Sequence, residues 1–205
     1  MLPPRIGAHE LRKAWMTTEL PTISFACAEA WEQWLSEHHA DAGVWLKIAK
    51  QGSQIATVTY EQALEVALCH GWIDGQKAKL DEHYWLQRFT PRKPASKWSK
   101  RNRTKATELI TSGRMRPAGL REVELAKTDG RWERAYDGQR TATVPDDLQR
   151  ALDEHPAAHE FFKTLNSVNR YAILYRIQDA KKPETRARRI EKYVAMLSER
   201  KQIHS

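Results

Sequence analysis

The sequence predicts an α+β protein: a small antiparallel β-sheet with helices in the N-terminal two thirds, then an all-helical C-terminal region. Three observations carry this. Apolar residues alternate over Val44–Lys50 and on both sides of the polar turn Asp81-Glu82-His83, the period of strands. Apolar residues recur at helical spacing around those runs. Beyond Pro145 the strand signals stop, and Pro145, Pro156 and Pro183 each stand where a helix can begin. A length of 205 residues, 40% hydrophobic and 29% charged, is enough for one large or two small domains. The chemistry of the segments suggests an N-terminal arm over 1–21, an α+β domain over 22–130 and a helical domain over 131–205.

The arm contains Pro3, Pro4 and Pro21 and has no clean period. After Cys27, residues Trp31, Trp34, Leu35 and His38 form an amphipathic stripe, with His38 as a boundary residue at its end. The strand from Val44 is closed by the turn Gln51-Gly52-Ser53. Thr59 and Gln62 have the spacing of a capping box, and the helix they open buries Leu64, Ala67 and Leu68 before Gly71 stops it. A hairpin follows, and counting outward from Glu82 puts Lys77 near Gln87 and Asp74 near Thr90, so that Asp74 could meet Arg88, Thr90 or Arg92. Pro91 and Pro94 end its second strand, since neither can donate to a ladder.

A helix is expected from about Trp98 to Ser112, with Trp98, Asn102, Ala106 and Leu109 on its apolar stripe and Gly113 as its stop. Pro117 opens another, to about Lys127. Asp146 and Asp147 suit the positive end of the helix after Pro145. The next helix carries Phe161, Phe162 and Leu165, and Asn166 or Ser167 caps a broadly apolar one through Ile177. The last, from Pro183, has Ala187, Ile190, Val194 and Leu197 on one stripe.

Charge is unevenly placed. The chain is formally +8, and between Arg88 and Thr107 it carries Arg88, Arg92, Lys93, Lys97, Lys100, Arg101, Arg103 and Lys105 without one acid. Outside that window acids and bases balance, which marks it as a candidate anion-facing surface. A second, diluted cluster spans Lys181, Lys182, Arg186, Arg188 and Arg189.

Several chemistries lack their residues. The glycine spacings that cradle nucleotide phosphates are absent, as are a GxSxG elbow and an HExxH pair. Two cysteines, Cys27 and Cys69, make neither a disulfide framework nor a zinc site, so no metal or cofactor is expected. No apolar run is long enough to span a membrane, and MLPPRIGAHELRKAW has no secretory apolar core, so a cytoplasmic location without membrane insertion is expected. What remains is a constellation near the hairpin: His70, Trp72 and Asp74 at one end, and Arg88, Thr90, Arg92, Lys93, Trp98, Lys100, Arg101 and Asn102 at the other. A carboxylate and guanidinium pair beside indoles can bind a small anion or stack a base.

The blocks GWIDGQ (71–76), RFTPRKPASKWSKRN (88–102), GRMRPAG (113–119), VPDDLQRAL (144–152), NRYAILYRI (169–177) and KKPETRARRIEK (181–192) resemble the YdeI/OmpD-associated family of bacterial proteins over roughly residues 22–200. That resemblance implies bacteriocin protection, with a suggested part in tolerance of cationic antimicrobial peptides, and it carries no catalytic residues or cofactor. It favours a non-enzymatic binding or stress-protection protein whose basic surface meets an anionic partner: a small anion, a nucleic acid or an acidic protein surface. Two alternatives stand beside it. One is a nucleic-acid-binding module using the 88–105 segment with Trp85, Phe89 and Trp98 interleaved. The other is an enzyme with a pocket around His70, Asp74 and Arg88.

Overall fold

A computed structural model describes residues 20–204; the expected arm therefore lies almost wholly outside the described residues. The elements are strands β1 (Thr22–Ile23), β2 (Val44–Ala49), β3 (Trp72–Lys79) and β4 (Tyr84–Pro91), and helices α1 (Ala28–Glu37), α2 (Tyr60–Cys69), α3 (Lys100–Thr111), α4 (Pro117–Thr128), α5 (Asp146–Asp153), α6 (Pro156–Thr164), α7 (Ser167–Gln178) and α8 (Pro183–Ser198). The α+β class holds, with the C-terminal region helical as expected. Contacts divide the described chain into two units, 20–96 with 106–125, and 97–105 with 126–204. Helices α3 and α4 each run from one unit into the other.

In the first unit the sheet order is β1-β2-β4-β3. The hairpin pairing of β3 with β4 is the one the sequence predicts; β2 pairs antiparallel with β4, a partner its alternation does not name, and β1 adds a parallel pairing of Thr22 with Trp45 and Ile23 with Leu46. Two residues are too few to show alternation, which is why the sequence does not announce β1. The hairpin register is correct at Lys77–Gln87 and wrong at Asp74, which stands opposite Phe89 rather than Thr90. Gly75 and Gln76 lie between the two pairs where β4 supplies only Arg88, a β-bulge. One extra residue moves a side chain to the other face of a sheet.

The face that carries Phe89 is closed by α1 and α2. Trp31, Trp72 and Phe89 are 1% exposed or less, and the Trp31 ring stands 5.7 Å from Phe89 and 6.4 Å from Trp72. Side chains of this size contribute about 3 kcal/mol each by burial. The Trp31 indole N–H donates to Ala63 O at 3.1 Å, so its one polar atom is satisfied. His38 takes the boundary role expected of it, stacked at 4.4 Å on Trp34. The Thr59–Gln62 capping box is present, and Gly71, at φ +74°, terminates α2 in the left-handed region where a side chain is strained.

In the second unit, α5 to α8 enclose a core of Leu148, Leu152, Phe162, Ile173, Ile177, Val194 and Leu197. Asn166, the expected cap, accepts the Asn169 N–H at 2.9 Å. Asn169, 1% exposed, donates to Gln202 Oε1 and His204 O and accepts the His204 N–H, fastening the C-terminal residues. The segment 97–105 is stitched to residues 132–137: Tyr136 N–H donates to Trp98 O at 2.9 Å, Lys100 N–H donates to Tyr136 O at 2.8 Å, and Trp98 packs edge-on against Trp132 at 4.8 Å. No helix among the described residues is long and apolar enough to cross a membrane.

Candidate functional site

The structure buries part of the constellation read from the sequence. Trp72 and Trp98 are core residues, at 1% and 2% exposure. Asp74 shares the helix-covered face with Phe89 and accepts a hydrogen bond from the Tyr60 hydroxyl at 2.8 Å. Arg88 and Thr90 project from the opposite face, because they alternate with Phe89 along β4. The Arg88 Nε is buried without a hydrogen-bond partner. Arg92 is buried, and its backbone N–H donates to Gly71 O at 3.0 Å. Asn102, the amide on the apolar stripe of α3, is buried as that stripe requires.

Several cations of the 88–105 run have work within the second unit. Lys97 pairs with Asp179 at 2.6 Å and donates to the Tyr175 hydroxyl at 3.2 Å. Lys100 pairs with Asp137 at 2.8 Å, and Arg103 donates to Trp132 O at 3.1 Å. Lys93 and Arg101 are exposed. Phe89 and Trp98, two of the three aromatics interleaved with these charges, lie in cores, and only Trp85 is partly accessible.

Of the predicted residues, His70 lines a ligand-sized cleft. The cleft measures about 630 Å³ within the first unit and is lined by α1 (Glu29, Glu32, Gln33, Ser36), His39, His70 and the start of α4 with Arg116 and Arg121. Local sequence builds it. His70 is the C-cap of α2, so its side chain stands at the end of the helix rather than along a packed face. Helix α4 can begin against that end because position 119 is glycine: a Cβ there would lie 2.5 Å from both Leu68 O and Cys69 O. Pro117 supplies a first residue with φ already set for the helix.

Electrostatics are concentrated on one oxygen. Glu32 Oε1 accepts from Arg116 Nε at 3.1 Å and Nη2 at 2.6 Å, and this bonding holds the Glu32 carboxyl below its ordinary range. His70 Nε2 stands 3.8 Å from the same oxygen, beyond hydrogen-bond reach, in a side chain only 10% exposed. That nitrogen is buried and has no hydrogen-bond partner. Burial pushes the His70 imidazole below its usual value, with Glu32 opposing the shift. Next to it, burial raises the Cys69 thiol to about 11, which leaves it protonated and a poor nucleophile at neutral pH. Arg121 lines the cleft beside Arg116, whose guanidinium is already bonded to Glu32, so the wall offers cationic groups to an oxyanion. Among the described residues no group of three or more His, Cys, Asp or Glu side chains is placed to hold a metal ion.

Sequence reasoning found His70 and missed Glu32, Arg116 and Arg121. Glu32 sits on the polar face of α1 among other polar residues, with nothing local to mark it. Arg116 had a signal, since it immediately precedes the proline that opens α4.

Fold and cleft together define an α+β protein with a polar, ligand-sized cleft in its sheet-bearing unit. Residues 141–200 match the family described as Bacteriocin-protection, YdeI or OmpD-Associated. The resemblance to the YdeI/OmpD-associated family is thus borne out over the C-terminal segment. Residues 23–122 match a separate family, described as Domain of unknown function (DUF8412). No curated protein and no solved structure matches the chain.

Proposed function

We propose that the protein is a cytoplasmic, non-enzymatic binding protein that takes a small anionic ligand, a carboxylate or phosphate, in the His70 cleft. The observation that carries this reading is the buried His70 Nε2, without a hydrogen-bond partner, in the wall of a cleft that Arg116 and Arg121 also line. An unsatisfied buried polar atom costs about 1–3 kcal/mol, and a ligand oxygen would recover part of that. The inert Cys69 thiol supports binding over covalent chemistry. A protective role fits the family description as an indirect one. A chain of charge +8 repels cationic peptides, so tolerance would follow from the anion it holds rather than from capture of the peptide.

Thermal unfolding in the presence of inorganic phosphate, acetate and succinate tests this. A ligand at about a hundred times its Kd adds about 2.7 kcal/mol, a rise of roughly 5 °C or more in Tm for a chain of this size. The wild type shows that rise with at least one probe, and His70→Phe and Arg121→Ala lose it while remaining folded by circular dichroism. An equal rise in both variants removes the cleft as the site.

A further inference from the structure

The sheet's edge carries a second arrangement, independent of the His70 cleft. Lys50, Gln51, Lys77, Ala78, Lys79 and Trp85 line a pocket of about 620 Å³ at the end of the sheet where β3 forms its edge. The register explains the grouping. Lys79 is opposite Trp85 and Lys77 is opposite Gln87, so both lysines and the indole emerge from one face. Lys77 Nζ rests 4.1 Å from the centre of the Trp85 ring, and the Tyr60 ring lies 6.0 Å from it, tilted. Lys50 reaches in from the end of β2 and donates to Asp81 O at 2.7 Å, which leaves it two further donors.

The acids of the neighbouring turn are bonded within the turn. Asp81 Oδ1 accepts the backbone N–H groups of His83 and Tyr84, both at 2.8 Å, and Glu82 pairs with His83 at 3.2 Å. Three exposed lysines therefore line one pocket with an aromatic ring, Lys77 over its face.

We propose that this edge binds single-stranded nucleic acid, with a base stacked on Trp85 and the flanking phosphates held by Lys50, Lys77 and Lys79. A lysine on an indole is a replaceable cover: a base can take the ring face that Lys77 occupies, and the displaced ammonium then meets the phosphate beside that base. A paired base has no free face to offer, so the arrangement selects single strands over duplex. The site uses none of the 88–105 cations, several of which are committed to carboxylates and carbonyls of their own unit.

The experiment is fluorescence anisotropy of the full chain with labelled 12-mers of oligothymidylate and oligoadenylate, a duplex of the same length, and unlabelled ATP as competitor. Three lysine–phosphate contacts predict that single-strand affinity falls about a hundredfold for each tenfold rise in salt. The double variant Lys77→Glu with Lys79→Glu loses at least tenfold in affinity, whereas Lys181→Glu with Lys192→Glu, an equal change of charge on exposed residues elsewhere, changes it less than threefold. Trp85→Leu weakens binding and Trp85→Phe retains it, which separates stacking from charge alone. Equal losses in the two double variants, duplex bound as tightly as single strand, ATP competing at the affinity of the 12-mer, or no binding at low salt each overturn the proposal.

Discussion

His70 shows how one side chain acquires its character from position. As a helix C-cap it escapes the packed face of α2, and the start of α4 then covers it. Burial disfavours its charged form, so its value in the folded chain lies below the 6.5 of an exposed histidine. The unfolded chain binds the proton more readily, and the contribution of neutral His70 is therefore full above pH 6.5 and lost as pH falls through the lower folded value. Glu32, held low by Arg116, loses its own contribution only below its ordinary 4.5. Between pH 7.5 and 5 the histidine therefore acts alone within this pair. The thermal midpoint of the wild type should fall further over that range than that of His70→Gln, and parallel falls would show that His70 does not titrate against a buried reference.

At the scale of elements, the approach of α4 to the end of α2 rests on Gly119. Substitution by alanine would put a methyl group against two backbone carbonyls, which cannot swing away as a flexible side chain can. Gly119→Ala should destabilise by about 2 kcal/mol or more despite alanine's better helix propensity, as measured by urea unfolding. A stabilising effect would mean that α4 stands further off. The same scale shows what was legible in the sequence. Caps, prolines and alternation located α2, β2, the hairpin and every C-terminal helix, because those signals act through nearest neighbours along the chain. The constellation of Asp74 with Arg88 and Thr90 was not legible, because a bulge at Gly75 and Gln76 leaves no mark in periodicity and shifts Asp74 to the other face. The cleft was half legible. His70 follows a strong helix, but Glu32 and Arg116 meet it across 38 and 46 residues of chain, and no local pattern records a meeting of that range.

For the whole molecule, the decisive fact is that neither unit is a continuous stretch. Residues 97–105 belong with 126–204, and their removal would strip Trp98 from Trp132 and the backbone bonds from Tyr136. A fragment of residues 131–205 should therefore melt several degrees below one of residues 97–205, with tryptophan emission shifted to the red as Trp132 gains water. Equal midpoints would show that the α5–α8 core stands without its upstream strap. The two family matches, 23–122 and 141–200, read as two modules laid end to end. The contacts interleave them instead. A recombination joint placed in the gap between them would hand its recipient four helices without the nine residues that line their flank, and donor and recipient alike would inherit an unfinished body.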